Sequence, residues 1–256
     1  GSMGRLGYVP EFTDCKIVSP EGTEWKELKK GSYTFQSLFG SNGKVVTDWV
    51  TIKPNTTPEN YNILIGGKKI TSENCGDLTA IEGVKGKAAY DPATNTLTLE
   101  NATITSTGEK SAGVALWTAV KGLTIKLIGE NTITSEKSGG MVNYEKLTIT
   151  GTGKLKITGA TSGNEDYCYG FLNPGTVTVD GCTLEISGGV NGITSGRWKF
   201  NKCNVRVKGN GTTKDEYKGS MGRLGYVPEF TDCKITAPAG AEWKELKKSG
   251  YTFQSL

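Results

Sequence analysis

Short stretches of alternating apolar and polar residues run through residues 97–238 of the chain. Alternation with a period of two is typical of β-strands that bury one face. Most stretches come in pairs separated by a tight break, as in LTIKLIGENTITS (123–135), LTITGTGKLKITG (147–159), VTVDGCTLEISG (177–188) and WKFNKCNVRVKG (198–209). A shorter third segment, such as GGMVNYEK or YGFLNPG, precedes most pairs. The pattern therefore predicts three short strands in each repeating element.

Strand triplets that recur every 20 to 30 residues or so, with Gly or Asn at the breaks, are typical of a parallel β-helix. The predicted fold class is all-β: a single-stranded, right-handed parallel β-helix of five or six turns. Its inward positions in two successive turns are Val177, Val179, Leu184 and Ile186, then Trp198, Phe200, Val205 and Val207. An antiparallel β-sandwich is the alternative. It ranks lower because hairpin signals such as Asn-Gly are sparse in this region.

A longer repeat encloses this pattern. The stretch GSMGRLGYVPEFTDCKI occupies residues 1–17 and again 219–235, and the two copies differ at six of 38 aligned positions. We interpret the second copy as the last turn of the β-helix. Residues 1–38 are then an orphan copy of the terminal turn of a preceding unit, and 39–58 a linker. The chain is predicted to be a slice of a tandem array, with end-to-end stacking through 1–38 and 219–256.

Residues 59–256 are predicted to form one capped β-helix domain, with a cap at 59–89, turns at 90–244 and a tail at 245–256. The segment YNILIGGKKIT indicates a β-hairpin with Gly66-Gly67 at its turn. A hairpin here would cover the open edge of the first turn, which otherwise invites aggregation.

Composition excludes several classes of function. The 256 residues include no histidine, which removes Ser-His-Asp and Cys-His catalysis and His-ligated metal sites. The net charge of +4 comes from 30 basic and 26 acidic residues that are dispersed, so nucleic-acid binding is not expected. No run of 18 apolar residues occurs, so no membrane span is predicted. Neither a cofactor nor a metal is expected.

Six cysteines are present, and three of them share one position in successive turns: Cys182, Cys203 and Cys233. Side chains in parallel register point the same way, which suits disulfide torsions poorly. We therefore predict a structural ladder of buried free thiols that act as small apolar side chains. Ala102, Asn131 and Gly153 are predicted to fill the same column in earlier turns.

Acidic residues give a candidate catalytic group. Asp180 and Asp232 precede cysteines of the ladder, and Glu165 and Asp166 lie in the segment TSGNEDYCYGF (161–171). Two facing carboxylates could hydrolyse a glycosidic bond. The competing interpretation, which we favour, is that the two Asp residues are turn residues, because Asp is common at corners.

Aromatic residues give a candidate binding surface. Trp117, Tyr144, Tyr167 and Tyr169 are the residues selected, because flat rings on a rigid sheet can stack on sugars. The alternative is that such residues belong to the core, above all Trp198 and also Trp117.

The segments YNILIGGKKITSENCGDL and YDPATNTLTLENATI resemble modules of large secreted or surface proteins of Bacteroides and related gut bacteria, best over 61–135. The resemblance implies a right-handed parallel β-helix and an adhesive or carbohydrate-related role. It implies no catalytic residue.

The predicted function is a non-enzymatic, extracellular or cell-surface module for adhesion or scaffolding that binds a polysaccharide or a host or cell-surface protein. The alternative is a polysaccharide lyase or glycoside hydrolase. Secretion would mean that the sequence is a mature fragment, because no signal peptide precedes Gly1.

Overall fold

The structure, a computed structural model, describes residues 1–55, 57–210 and 218–256. Thr56 of the predicted linker and residues 211–217 of the predicted turns lie outside the described residues. Strands make up 55% of the protein, and no α-helix occurs in the described ranges. The prediction of an all-β fold is confirmed. The chain divides into two compact units, Gly1–Pro58 and Glu59–Leu256.

The first unit contains two antiparallel strand pairs. Its strands are β1 (Cys15–Ser19), β2 (Glu24–Lys30), β3 (Tyr33–Phe39) and β4 (Thr51–Pro54). Strands β2 and β3 form a hairpin, and β4 pairs with β1 so that Ile52 lies opposite Ile17. The segment 39–58, which was predicted to be a linker, therefore includes strand β4.

The second unit contains twenty strands. They are β5 (Asn60–Ile65), β6 (Lys68–Thr71), β7 (Val84–Asp91), β8 (Thr96–Glu109), β9 (Leu116–Thr118), β10 (Leu123–Ile128), β11 (Glu130–Lys137), β12 (Met141–Asn143), β13 (Lys146–Gly151), β14 (Lys154–Thr158), β15 (Tyr169–Leu172), β16 (Thr176–Asp180), β17 (Thr183–Gly188), β18 (Asn191–Thr194), β19 (Arg197–Asn201), β20 (Asn204–Gly209), β21 (Gly219–Gly222), β22 (Glu229–Thr231), β23 (Lys244–Lys248) and β24 (Tyr251–Ser255). Short 3-10 segments lie at Leu78–Ala80, Lys110–Gly113 and Glu165–Tyr167.

Strands β8 to β22 form a parallel β-solenoid of about five turns. Each strand pairs in parallel with the strand one turn before and one turn after it. Three faces result: the first holds β10, β13, β16, β19 and β22, the second β11, β14, β17 and β20, and the third β9, β12, β15, β18 and β21. The long strand β8 belongs to both the first and second faces. The parallel pairing rules out the β-sandwich alternative.

Equal positions in successive turns are filled by similar side chains, because each turn stacks directly on the one before. On the second face, one inward column consists of Ile104, Ile133, Ile157, Ile186 and Val207. The four isoleucines are at most 1% exposed, and Val207 is half-buried. The inward positions predicted for Val177, Val179, Leu184, Ile186, Trp198 and Phe200 are confirmed, since all are at most 3% exposed.

The corner between the first and second faces repeats one backbone conformation. One residue near this corner has a positive φ in each turn, and the first two of the six lie two positions beyond the level of the others: Asn101 and Gly129, then Gly151, Gly181, Lys202 and Asp232. This left-handed conformation favours Gly, Asn and Asp, which explains why those residues mark the breaks in the sequence. Asp232, at φ 52°, is therefore a turn residue, as the competing interpretation stated.

One predicted column is wrong for two of its residues. Asn131 is in register with Leu155, which is in register with Leu184, so Asn131 lies two positions beyond the level of Cys182. Ala102 lies beside Asn131, and its backbone N–H donates a hydrogen bond to Asn131 Oδ1 at 2.9 Å. The reason is the position of the corner: its positive-φ residue in these two turns, Asn101 and Gly129, lies two positions beyond the level of Gly151 and Gly181.

The first turn of the solenoid has antiparallel neighbours. Strands β5 and β6 form the predicted hairpin, with Gly66 and Gly67 both at positive φ. Strand β5 pairs with β9 on the third face, and β7 pairs with β8 on the others. The edge of the first turn is thus hydrogen-bonded to residues of the segment 59–91.

We expect the Ile157→Ala variant to lose about 2–5 kcal/mol of unfolding free energy, because Ile157 is fully buried in the second-face column and its truncation leaves a cavity. Urea unfolding followed by far-UV circular dichroism measures this loss. Thr158→Ala, a change of the half-buried neighbour, is the control and should cost less than about 1 kcal/mol. Equal midpoints for the two variants would contradict the inward position of Ile157.

Candidate functional site

The outer side of the third face carries an apolar and aromatic surface. Trp117 on β9, Val142 on β12 and Leu172 on β15 are in register, one per turn. Residues next to them on the same strands, such as Leu116 and Met141, point inward and are fully buried. Because side chains alternate along a strand, the three in-register residues line the outside of the solenoid. We call this surface, together with Tyr144 and Tyr167, the aromatic face.

Two of the predicted binding residues are in ring contact on this face. The ring centroids of Trp117 and Tyr144 lie 5.7 Å apart with the planes inclined at 51°. Tyr144 is 49% exposed, and Trp117 is half-buried against Val142 and its neighbours. Both residues sit on or just after short strands that are hydrogen-bonded on both sides, so the ring pair is held in a fixed position.

Tyr169 supports this surface from beneath instead of forming part of it. Its side chain is only 6% exposed and packs with Val114 and Val142. A Cβ at Gly139 would overlap its ring, so the ring lies directly over the glycine backbone. Burial, together with the nearby hydroxyls of Tyr144 and Tyr167, raises the pKa of Tyr169 well above its ordinary value. The prediction that Tyr169 offers a ring to a ligand does not fit this burial.

Tyr167 belongs to a short loop that borders the aromatic face. Asn164 caps the 3-10 segment there by accepting a hydrogen bond from the backbone N–H of Asp166 at 3.0 Å. The thiol of Cys168 donates to the Asn164 carbonyl at 3.3 Å. Glu165 forms an ion pair with Lys218 at 2.6 Å, which links the loop to the residue before β21. Tyr167 is half-buried, so part of its ring faces solvent.

A buried asparagine pair fixes the strand ends from which Tyr144 projects. Asn143 Nδ2 donates to Asn173 Oδ1 at 2.8 Å, and Asn173 Nδ2 donates to the carbonyl of Arg197 at 3.3 Å. Both asparagine side chains are fully buried. Buried amides bonded across successive turns hold those turns in one register.

The four candidate catalytic carboxylates are not brought together. Asp180 and Asp232 lie at the corner between the first and second faces, whereas Glu165 and Asp166 precede the third face. Asp180 Oδ1 accepts a hydrogen bond from Asn201 at 2.6 Å, and Asp232 pairs with Lys202 at 3.7 Å. The turn that contains Asn201 and Lys202 separates the two Asp residues, so they do not face each other as a glycosidase pair would.

The three ladder cysteines lie on successive turns at the same level. Thr183 is in register with Asn204, which places Cys182 beside Cys203, and the thiol of Cys233 donates to the Phe200 carbonyl at 3.1 Å. All six cysteines, each within the described ranges, are free. Burial raises the pKa of Cys182 to about 11, and burial with the neighbouring Cys233 thiol raises that of Cys203 to about 12.

Comparison with known proteins adds no assignment. No protein family model matches the chain, and neither the curated proteins nor the solved structures give a match.

Two features are absent from the residues that the structure describes. No helix in this part of the chain is long and apolar enough to cross a membrane. Among the same residues, no group of three or more His, Cys, Asp or Glu side chains could hold a metal ion.

Leu172 and Gly139 are parts of the aromatic face that sequence reasoning missed. Leu172 lies in line with Trp117 and Val142, and Gly139 makes room for the Tyr169 ring. Aligning the third segments LWT, MVN and FLN by turn would have revealed Leu172. The role of Gly139 has no signal in the sequence, because it depends on a ring that comes from the next turn.

Native-state labelling should separate the ladder cysteines from the rest. Relative to an ordinary thiol, the raised pKa values lower the thiolate fraction at pH 8 by about 100-fold for Cys182 and about 1,000-fold for Cys203. We expect iodoacetamide at pH 8 to modify these two only after unfolding, as read by peptide mass spectrometry. Half-buried Cys75, which lies outside the duplicated stretch, is the internal comparison for Cys203, which is also half-buried. Labelling of Cys203 as fast as Cys75 would contradict its raised pKa.

The same shifts predict a pH dependence of stability. Folded pKa values above the unfolded value mean that deprotonation favours the unfolded chain. The contribution of the protonated Cys182 and Cys203 thiols to the free energy of unfolding is therefore complete below pH 9 and is lost as the pH rises toward 11 to 12.

Proposed function

We propose that the protein is a non-enzymatic module that binds glycan through the aromatic face. One observation carries the proposal: the contact between the Trp117 and Tyr144 rings at 5.7 Å on the outside of a rigid strand ladder. Flat, partly exposed rings contribute large apolar contact area to a sugar and lose little conformational entropy on binding. Tyr167 at the border adds a third ring and a hydroxyl.

The position of the rings favours binding over chemistry. Strand pairing holds the backbone on both sides of Trp117 and of Val142, so the surface exists before a ligand arrives. A preformed surface avoids the free-energy cost of ordering loops. Glu165 and Asp166, the candidate catalytic residues that directly precede Tyr167, are exposed. Glu165 forms an ion pair with Lys218. This arrangement supports adhesion or scaffolding as the module's role.

We extend the proposal to location and architecture. Near-identical copies at 1–38 and 219–256 support a tandem-repeat protein, and the resemblance described above supports a secreted or cell-surface site. We infer that the solenoid is right-handed and that the β5–β6 hairpin acts as its N-terminal cap. The antiparallel pairing of β5 with β9 supports the cap, because it occupies the edge that would otherwise be open.

Binding to a panel of immobilised polysaccharides tests the proposal. We expect Trp117→Ala and Tyr144→Ala each to weaken binding of the recognised glycan by about 2- to 10-fold, since one ring contact contributes about 0.5–1.5 kcal/mol. Trp49→Ala and Tyr251→Ala are matched controls, because these rings are 89% and 69% exposed and lie elsewhere in the chain. Equal losses for all four variants, or no binding at all, would contradict the aromatic face as the site.

Release of reducing ends from the same polysaccharides distinguishes binding from hydrolysis. We expect no release above a buffer blank. Turnover that Asp180→Asn abolishes, with thermal stability unchanged, would replace the binding proposal by a glycoside hydrolase.

A further inference from the structure

The two copies of the 38-residue repeat adopt the same local structure. Each ends in a hairpin, β2–β3 in the first copy and β23–β24 in the second. Each also joins its start to this hairpin, through the bridge of Leu6 with Gln36 and of Leu224 with Gln254. The backbone hydrogen bond of Leu38 to Met3 has its counterpart in that of Leu256 to Met221. The two copies of the repeat therefore share one local arrangement of start and hairpin.

The second copy is attached to the end of the solenoid by a specific set of contacts. Strand β21 pairs with β18, and β22 pairs with β19. Phe230 stacks on Phe200 with ring centroids 5.5 Å apart. Glu229 forms an ion pair with Lys199 at 2.8 Å, and Arg197 lies over the Tyr226 ring at 4.2 Å. We call the surface formed by β18 and β19 the solenoid end.

The first copy carries the same contact residues. Gly1, Met3, Gly4, Tyr8, Glu11, Phe12 and Thr13 stand where the second copy has Gly219, Met221, Gly222, Tyr226, Glu229, Phe230 and Thr231. The six differences between the copies begin at Val18/Thr236, after the last of these contacts. The side chains of the solenoid end would therefore meet the same residues in either copy of the repeat.

The exposure of the contact residues differs between the copies at single positions: Phe12 is half-buried, whereas its counterpart Phe230 is 37% exposed. Tyr8 is 88% exposed, whereas its counterpart Tyr226 is 56% exposed over Arg197. The first copy also has a strand that the second lacks. Residues 15–19 form β1 and pair with β4, but the matching residues 233–237 form no strand in the described structure.

The second copy leaves part of the solenoid uncovered. A cavity of about 600 Å³ separates β20 from residues 233–238, and its lining includes Val205, Val207 and Ile235. Val205 and Val207 are only half-buried, although Leu184 and Ile186, at the same positions one turn earlier, are at most 1% exposed. A formed strand in this place, like β1, would cover them better than residues 233–237 do.

We propose that the solenoid end is a docking surface for residues 1–38 of a second copy of this chain, which displaces the second copy of the repeat by strand exchange. The incoming repeat makes the same contacts and brings the β1–β4 pair to the uncovered edge. The two partners use different surfaces, so the association is head-to-tail and can continue from molecule to molecule.

Competition within one chain sets the conditions for this exchange. The tethered residues 219–256 act at an effective concentration in the millimolar range. The unmodified protein is therefore mostly monomeric at micromolar concentration. Weakening the tethered copy alone should shift the balance towards the partner molecule's first copy.

The test compares Phe230→Asp with Phe12→Asp, the same change in the two copies of the repeat. We expect Phe230→Asp to form species at multiples of 27.3 kDa, increasing with concentration from about 10 to 500 μM. Light scattering after size-exclusion chromatography measures the masses. Phe12→Asp alone, and the double variant, should remain at 27.3 kDa. A constant mass for Phe230→Asp, or equal association of the double variant, would overturn the proposal.

A second measurement decides the matter if Phe230→Asp does not fold. A fluorescent peptide of residues 1–17, identical to 219–235, is added to the unmodified full chain. We expect saturable binding by fluorescence anisotropy as the chain concentration is raised into the millimolar range, which matches the tether. The peptide with Phe12→Asp should bind about 2- to 10-fold more weakly, because it lacks the ring that contacts Phe200. No difference between the two peptides would overturn the proposal.

Discussion

Parallel stacking of one turn on the next is the constraint on which the rest of this structure depends. Backbone hydrogen bonds join each strand to its neighbours about 4.8 Å away, so residues at equal positions are forced into contact. A column can then persist only if each member fits the one below it. The column from Ile104 to Ile186 meets this condition with one residue type in four turns. Each turn must also bend between the first and second faces, and a residue of positive φ lies near that corner in each turn.

The same constraint creates the aromatic face. Outward positions stack as strictly as inward ones, so Trp117, Val142 and Leu172 form a line without any interaction that selects them. Apolar side chains in such a line shield one another, and Val142 is 2% exposed although it points outward. The rings of Trp117 and Tyr144 thus rest on a packed base, and a ligand would meet a surface whose shape does not depend on loop closure.

Much of the fold could be predicted from the alternation of apolar and polar residues, because a period of two places Val177 and Val179 on the inward side and Thr178 on the outward side. The aromatic face could be predicted only as separate residues. Its strands are three or four residues long, too short for alternation to assign a face, and the burial of Tyr169 depends on Gly139 one turn away. The column containing Asn131 was misassigned because the corner residue of the first two turns lies two positions later than in the other turns, a full period that alternation does not reveal.

The stacking constraint also bears on the solenoid end. A further turn can stack on the solenoid if its backbone pairs with the preceding strands and its side chains fit the columns of the preceding turn. Neither condition depends on which chain supplies the turn. Phe200 contacts a phenylalanine ring, and Lys199 contacts a glutamate, and both copies of the repeat provide them. Specificity for the tethered copy is therefore a matter of proximity alone. In a solenoid that ends on a duplicated sequence, the interactions that complete one molecule are the same interactions that can join it to the next.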